Sequence, residues 1–246
     1  MLKQRLLLSA LVCTIVVITP TASKAEETAA KSAVKTDIES EADKDVEKLL
    51  SKTRSEMAKI DGVDEATAGK FLRAMNSFYQ VVAKSSNEMT KAHNEYSESD
   101  VLDFAKLKGV SPKLPVLKQW LGYTEAYSKA ADAGLKTMSN ISTTLREALE
   151  REQFSPHQVE EGVNGFLSKK DEFEKIKSSY KAFAKMANDA NGIVKFLIKH
   201  EAKWSVDPED ETPISDEENF NEEFDRQLDV LVKDEEEINK IIESFN

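Results

Sequence analysis

Leu114, Leu117, Leu121, Thr124, Ser128, Ala131, Leu135, Met138, Ser142, Leu145 and Leu149 recur in alternating steps of three and four. On a 3.6-residue helix these steps keep one stripe facing the same way, a heptad seam over about five heptads. A strand would scatter the same residues over both faces, because its side chains alternate with period two. The seam therefore demands a long helix with another helix lying along it.

Two more segments carry the same signal. Ala68, Phe71, Leu72, Met75, Phe78, Tyr79 and Val82 mark an amphipathic helix that continues more weakly through Met89 and Tyr96; the stripe Phe71, Met75, Phe78, Tyr79 reads as core. Val159, Val163, Phe166, Phe173, Ile176, Tyr180, Phe183, Ala187, Ala190, Val194 and Leu197 mark another. Start signals precede two of the three. Ser111-Pro112 and Ser155-Pro156 each place a capping hydroxyl before a proline at the first helical position, and Gln158 completes a capping box with Ser155. Gly162, Gly165 and Gly192 weaken the last of these helices, and one of them is expected to mark a kink or break. Val46, Leu49, Leu50, Met57 and Ile60 form a shorter apolar face that ends at Asp61-Gly62. Alternating apolar and polar runs with hairpin turns are not apparent. The expected fold is all-α: an elongated antiparallel helical bundle, with two helices of about 40 residues.

The first 25 residues read as an address. Lys3 and Arg5 precede an apolar run, Leu6 to Ile18, that Pro20 breaks. Ser23-Lys24-Ala25 places small residues at the −3 and −1 positions of a cleavage site, the layout of a secretory signal peptide. A spanning helix needs roughly 20 apolar residues, more than this run supplies. The expectation is export to a bacterial periplasm or the cell exterior, with cleavage after Ala25. Cys13 is the only cysteine and leaves with the leader. The mature chain then has no disulfide, thiolate metal site, haem attachment motif or cysteine nucleophile. Residues 26–42 are rich in Ala, Lys, Glu, Ser and Thr with little to bury, a mobile lead-in. Residues 43–204 form the bundle, and residues 205–246 an acidic linker and a last amphipathic helix.

Charge is unevenly placed. The chain carries −11 overall, yet residues 205–246 hold 16 acidic side chains against Arg226, Lys233 and Lys240. The body is close to neutral, without the basic footprint that nucleic acid or anionic lipid requires. The last helix has an apolar stripe of Phe220, Phe224, Leu228, Leu231, Ile238, Ile242 and Phe245.

The sharpest local pattern is in the linker, from Asp207 to Glu218. Asp207, Glu209, Glu211 and Ser215 put oxygens at loop positions 1, 3, 5 and 9, with Ile214 at 8 and Glu218 at 12. That pattern resembles an EF-hand calcium loop, which implies weak calcium binding through Asp207, Glu209, Glu211 and Glu218. It departs from the motif at Thr212, where the sharp turn takes glycine, and at Pro213. The plainer reading is a solvated acidic linker whose end favours the positive N-terminus of the next helix. His93, His157 and His200 make neither an H-x-x-x-H nor an E-x-x-H pair, so a helical di-iron pattern is missing. Nucleophile-elbow, phosphate-loop and dinucleotide-loop motifs are missing too. Asn140-Ile141-Ser142 is a glycosylation triplet, read as incidental inside a helix.

Small residues cluster mid-seam at Ser128, Ala130, Ala131, Ala133 and Gly134. They would admit a neighbouring helix at close range, or line a ligand cavity or interface. Three function classes follow. The first is a non-enzymatic interaction or adaptor protein that binds a protein partner along its helices, needs no cofactor and is able to form homo-oligomers. The second is a soluble carrier with an apolar ligand held near Ala130 to Gly134. The third is a membrane-active helical protein, disfavoured by the acidic tail.

Overall fold

The computed structural model describes residues 46–48, 50–55, 64–168 and 170–243; the expected leader (residues 1–25) and lead-in (26–42) lie outside them, as do Leu49, Met57, Ile60 and Asp61-Gly62. The fold is all-α, with one very small sheet. Residues 46–48 and 50–55 are helical and bury Val46 and Thr53. Helix α1 spans Glu65–Glu98. Asp64 starts it by accepting the Thr67 amide (2.8 Å) and the Thr67 hydroxyl (2.7 Å), which satisfies one of the amides that a helix start leaves unpaired. A 3-10 turn, Phe104–Leu107, follows, and Gly109 leaves it at φ +72°, a backbone that side chains other than glycine's resist.

Both expected 40-residue helices are broken. The first divides into α2 (Leu114–Ser139) and α3 (Ile141–Arg151). At Asn140 the backbone leaves α geometry (φ −104°, ψ 14°), and its amide is shared between the Lys136 and Thr137 carbonyls. Periodicity could not register this interruption, because Met138, Ile141 and Leu145 are buried on both sides of it. Helix α2 also begins later than Ser111-Pro112 proposed: Lys113 receives the first amides, from Val116 and Leu117, and Pro115 takes the first-turn place where a missing N–H costs nothing. The second long helix divides into α4 (Pro156–Leu167) and α5 (Lys170–Lys199). The break follows Gly165, whose carbonyl is taken up by the Ser168 amide and hydroxyl, whereas Gly162 lies inside α4 and Gly192 inside α5. The Ser155–Gln158 capping box is present in full.

The chain groups into two units. Of the described residues, one unit comprises those up to Glu88 with those of Lys136–Lys177, and the other Met89–Leu135 with those from Ser178 onward. In the first unit Phe78 meets Phe166 edge-on (5.3 Å), and Phe71 meets Phe154 (6.4 Å). Arg73 pairs with Glu152, and Arg151 donates to Ser77, so α1 and α3 run antiparallel.

The second unit positions the site. Its contacts define direction by their numbers: Thr124 meets Asn191, Ser128 meets Asn188, and Gly134 meets Tyr180. One number climbs as the other falls, so α2 and α5 are antiparallel. Met89 lies against Gly134 and His93 against Tyr127, which makes α1 antiparallel to α2. The last helix, α6 (Phe220–Glu243), pairs Phe220 with Phe196 and Asp234 with Lys185, again antiparallel to α5. The result is a four-helix arrangement.

The expected linker is more ordered than its composition suggested. Strands β1 (Trp204–Val206) and β2 (Pro213–Ser215) form an antiparallel pair that precedes α6. Three residues per strand are too few for an alternating signal. Buried Trp204 holds the hairpin, its indole N–H donating to the Leu197 carbonyl (3.0 Å) while Lys113 Nζ lies 4.8 Å above its ring. The acidic last helix docks through Phe224, which is 1 % exposed and meets Phe104 at 5.6 Å, and through Leu231 and Ile238. The side chains of Ile242 and Phe245, at the end of the expected stripe, lie outside the described residues.

Candidate functional site

The small-residue centre does not open into one space. Ala131 is fully buried, Ala130 is half-buried and Ala133 is exposed. Gly134 touches the Tyr180 ring so closely that a Cβ there would come within 2.7 and 2.8 Å of two ring carbons. Ordinary carbon contacts lie at about 3.5–4.0 Å. The glycine is therefore the seat of a buried tyrosine, and helix approach is what it provides. Ser128 donates its hydroxyl to Asn188 Oδ1, and Asn188 in turn donates to Asp132 (3.4 Å). With Thr124 against Asn191 at 3.3 Å, the polar side of the seam is a ladder of side-chain hydrogen bonds between α2 and α5.

The calcium-loop candidates sit in the β1–β2 hairpin and just beyond it. Asp207 Oδ1 accepts the amides of Glu209 (2.7 Å) and Asp210 (3.3 Å), a turn of the kind aspartate makes with its own backbone. The left-handed residue of the loop is Glu211 (φ +55°), one position before Thr212. Glu209, Glu211 and Glu218 are exposed. Among the described residues no three His, Asp or Glu side chains gather as a cation set. Glu217, which the loop pattern passed over, is the engaged carboxylate: it meets His200 Nδ1 at 2.5 Å and Lys203 Nζ at 2.7 Å. Both partners hold its carboxyl below the usual range, Lys203 first.

The structure instead assembles a titratable cluster in the second unit that patterning missed. His93 of α1 lies 5.2 Å from the Tyr127 ring and 5.8 Å from Phe183. Its Nδ1 and the Tyr127 hydroxyl are buried, with no hydrogen-bond partner among the described residues. Burial lowers the His93 pKa, so the ring resists protonation. Burial also pushes Tyr127 up, with Tyr96 adding to it. Tyr96 itself, 5.2 Å from Tyr127, is pushed up to about 12 by burial and by the charge of Glu235.

On the α5–α6 side, Lys185 stands between two carboxylates, Asp189 at 3.3 Å and Asp234 closer still. Asp234 is 4 % exposed, and its Oδ2 is buried without a partner. Burial, and then Asp234, push the Asp189 carboxyl up against the pull of Lys185. Burial pushes Glu235 up as well. These groups can hold and exchange protons. One signal in the sequence could have found them: Asp234 stands between Leu231 and Ile238 at three- and four-residue steps, a carboxylate in an apolar stripe.

No family model, curated protein or solved structure matches the chain. Among the described residues no helix is long and apolar enough to cross a membrane.

Proposed function

We propose that the chain is an exported, non-enzymatic helical interaction protein, whose mature form begins after Ala25 and binds a protein partner along its helix surfaces. Packing at Gly134 carries this reading over the carrier alternative. The space a ligand would need there is filled by the Tyr180 ring, so the small residues serve helix-to-helix contact. The surfaces offered to a partner are long and charged, with single apolar side chains such as Val81 (45 % exposed) and Val232 (48 %) among them.

Crosslinking of lysines in the native extracytoplasmic compartment, followed by mass spectrometry of the purified protein, tests the proposal. The expected result is an N-terminus at Glu26 and recurrent crosslinks from one helix face to a single other polypeptide. Intramolecular crosslinks alone, together with a co-purifying small apolar molecule in native mass spectra, would establish the carrier instead. Leakage of neutral-pH vesicles would establish the membrane-active alternative.

A further inference from the structure

Helix α6 is held to α5 through a polar contact that is one hydrogen short. Lys185 Nζ serves Asp189 Oδ2 and Asp234 Oδ1 together, so two carboxylates share a single ammonium. Asp234 Oδ2 is left over, buried and unpaired. Lys185 brings the Asp189 and Asp234 carboxyls to one ammonium, yet two ionised carboxylates are both acceptors and form no bond with each other. An unpaired buried acceptor of this kind is costly, and one proton would satisfy it. We infer that Asp189, Lys185 and Asp234 form a proton-capture latch: mild acid places a proton between the two carboxylates and tightens the docking of the C-terminal helix.

The direction follows from linkage. A carboxyl whose pKa is higher in the folded protein than in the open chain binds its proton more tightly in the docked state. Its stabilising contribution is present in acid and lost as pH rises through the folded-state value. Asp189 has that sign, from burial and from the neighbouring Asp234. Glu235, next in sequence to Asp234, shares it through burial.

Other titratable groups adjoin the triad from each neighbouring helix. On α1, Tyr96 feels the charge of Glu235, and His93 touches Phe183 two residues before Lys185. His93 has the opposite sign, because its burial opposes a positive charge. On α2, Asp132 accepts from Asn188, the residue before Asp189. On α6, Lys233 is exposed beside Asp234. A comparison that changes only the captured proton separates the latch from all of these.

Asp189→Asn supplies that comparison, since its amide is the shape of a protonated Asp189 and donates where the carboxylate cannot. Amide hydrogen exchange across residues 231–238 of the mature protein, expressed as protection factors, is measured at pH 7.5 and pH 5. The latch requires wild-type protection to rise relative to D189N as pH falls, and D189N to exceed wild type at pH 7.5 by about 3- to 10-fold, the span expected of one hydrogen bond gained at a buried acceptor. An ordinary ion pair gives the reverse: D189N removes the Lys185–Asp189 contact and is less protected at pH 7.5. That result, or equal protection in both proteins at both pH values, overturns the inference. A second variant at Asp234 is read by the same exchange. An asparagine there would still accept through its amide oxygen, so the comparison uses Asp234→Ala: with no acceptor left at that position, adding D189N must no longer raise protection at pH 7.5.

Discussion

Substituting alanine at two glycines of the same helix should move stability in opposite directions. At Gly122 a Cβ would meet no atom within 4 Å, so Gly122→Ala only restricts the unfolded chain and should stabilise by about 1 kcal/mol. At Gly134 the same helix-propensity gain is set against a Cβ 2.7 Å from a ring carbon of Tyr180. To restore ordinary contact the ring must retreat by about 0.8 Å. Tyr180 is fully buried, so that retreat presses on neighbours already in contact. Overpacking of this kind costs about 1–3 kcal/mol, which leaves Gly134→Ala about 0–2 kcal/mol less stable than wild type. The difference between the two variants isolates the packing cost. Trp120 and Trp204 both belong to the unit that contains Gly122 and Gly134. Urea unfolding followed by tryptophan fluorescence therefore reports on the affected core. Repeating Gly134→Ala in a Tyr180→Leu background, where the ring is gone, should recover about 0.5–3 kcal/mol of coupling. If Gly134→Ala is as stabilising as Gly122→Ala, Tyr180 does not occupy that space. The case against a ligand cavity at the small-residue centre then falls with it.

Phe224→Ala should cost about 3–5 kcal/mol, because a ring packed against Phe104 and stacked 6.3 Å from Phe220 is removed; unchanged hydrogen-exchange protection of α6 would show the helix to be held elsewhere. Ser155→Ala removes the capping box of α4 and should lower the stability of the first unit by about 1 kcal/mol in circular-dichroism melts, whereas an unchanged midpoint would make the cap ornamental. Acid below about pH 4.5 should weaken the fold through carboxylates whose folded pKa is depressed: Glu223, drawn down to about 2 by Arg226 and Gln227, with Glu217, Glu160 and Asp64. Their contribution is present above the ordinary carboxylate range and lost as pH falls towards 2. Because these groups are exposed or only half-buried, added salt should shrink the effect, and salt-independent acid unfolding would assign it to other groups.

Much of this architecture is legible in the order of the residues. Burial at three- and four-residue steps is a property of the α-helix itself, so Phe71 to Val82, the seam from Leu117 to Leu149 and the stripe from Phe220 to Ile238 identify their own buried faces. The Ser155–Gln158 cap is local in the same sense, since its partners lie three residues apart. The break at Asn140 is different. Side chains on both sides of it keep the seam, and only the sharing of one backbone amide between two carbonyls marks the interruption.

The sequence by itself determined that the chain is helical, which faces are apolar, and that a helix starts at Ser155-Pro156, because each depends on neighbours within one or two turns. Only the tertiary structure decided that the Gly134 position is filled by Tyr180 and that Trp204 pins a short hairpin to Leu197. It also decided that Lys185, Asp189 and Asp234 meet. Tyr180 lies 46 residues from Gly134, and Asp234 lies 49 from Lys185. No local spacing encodes such a meeting, since it depends on which helices pair and in which direction.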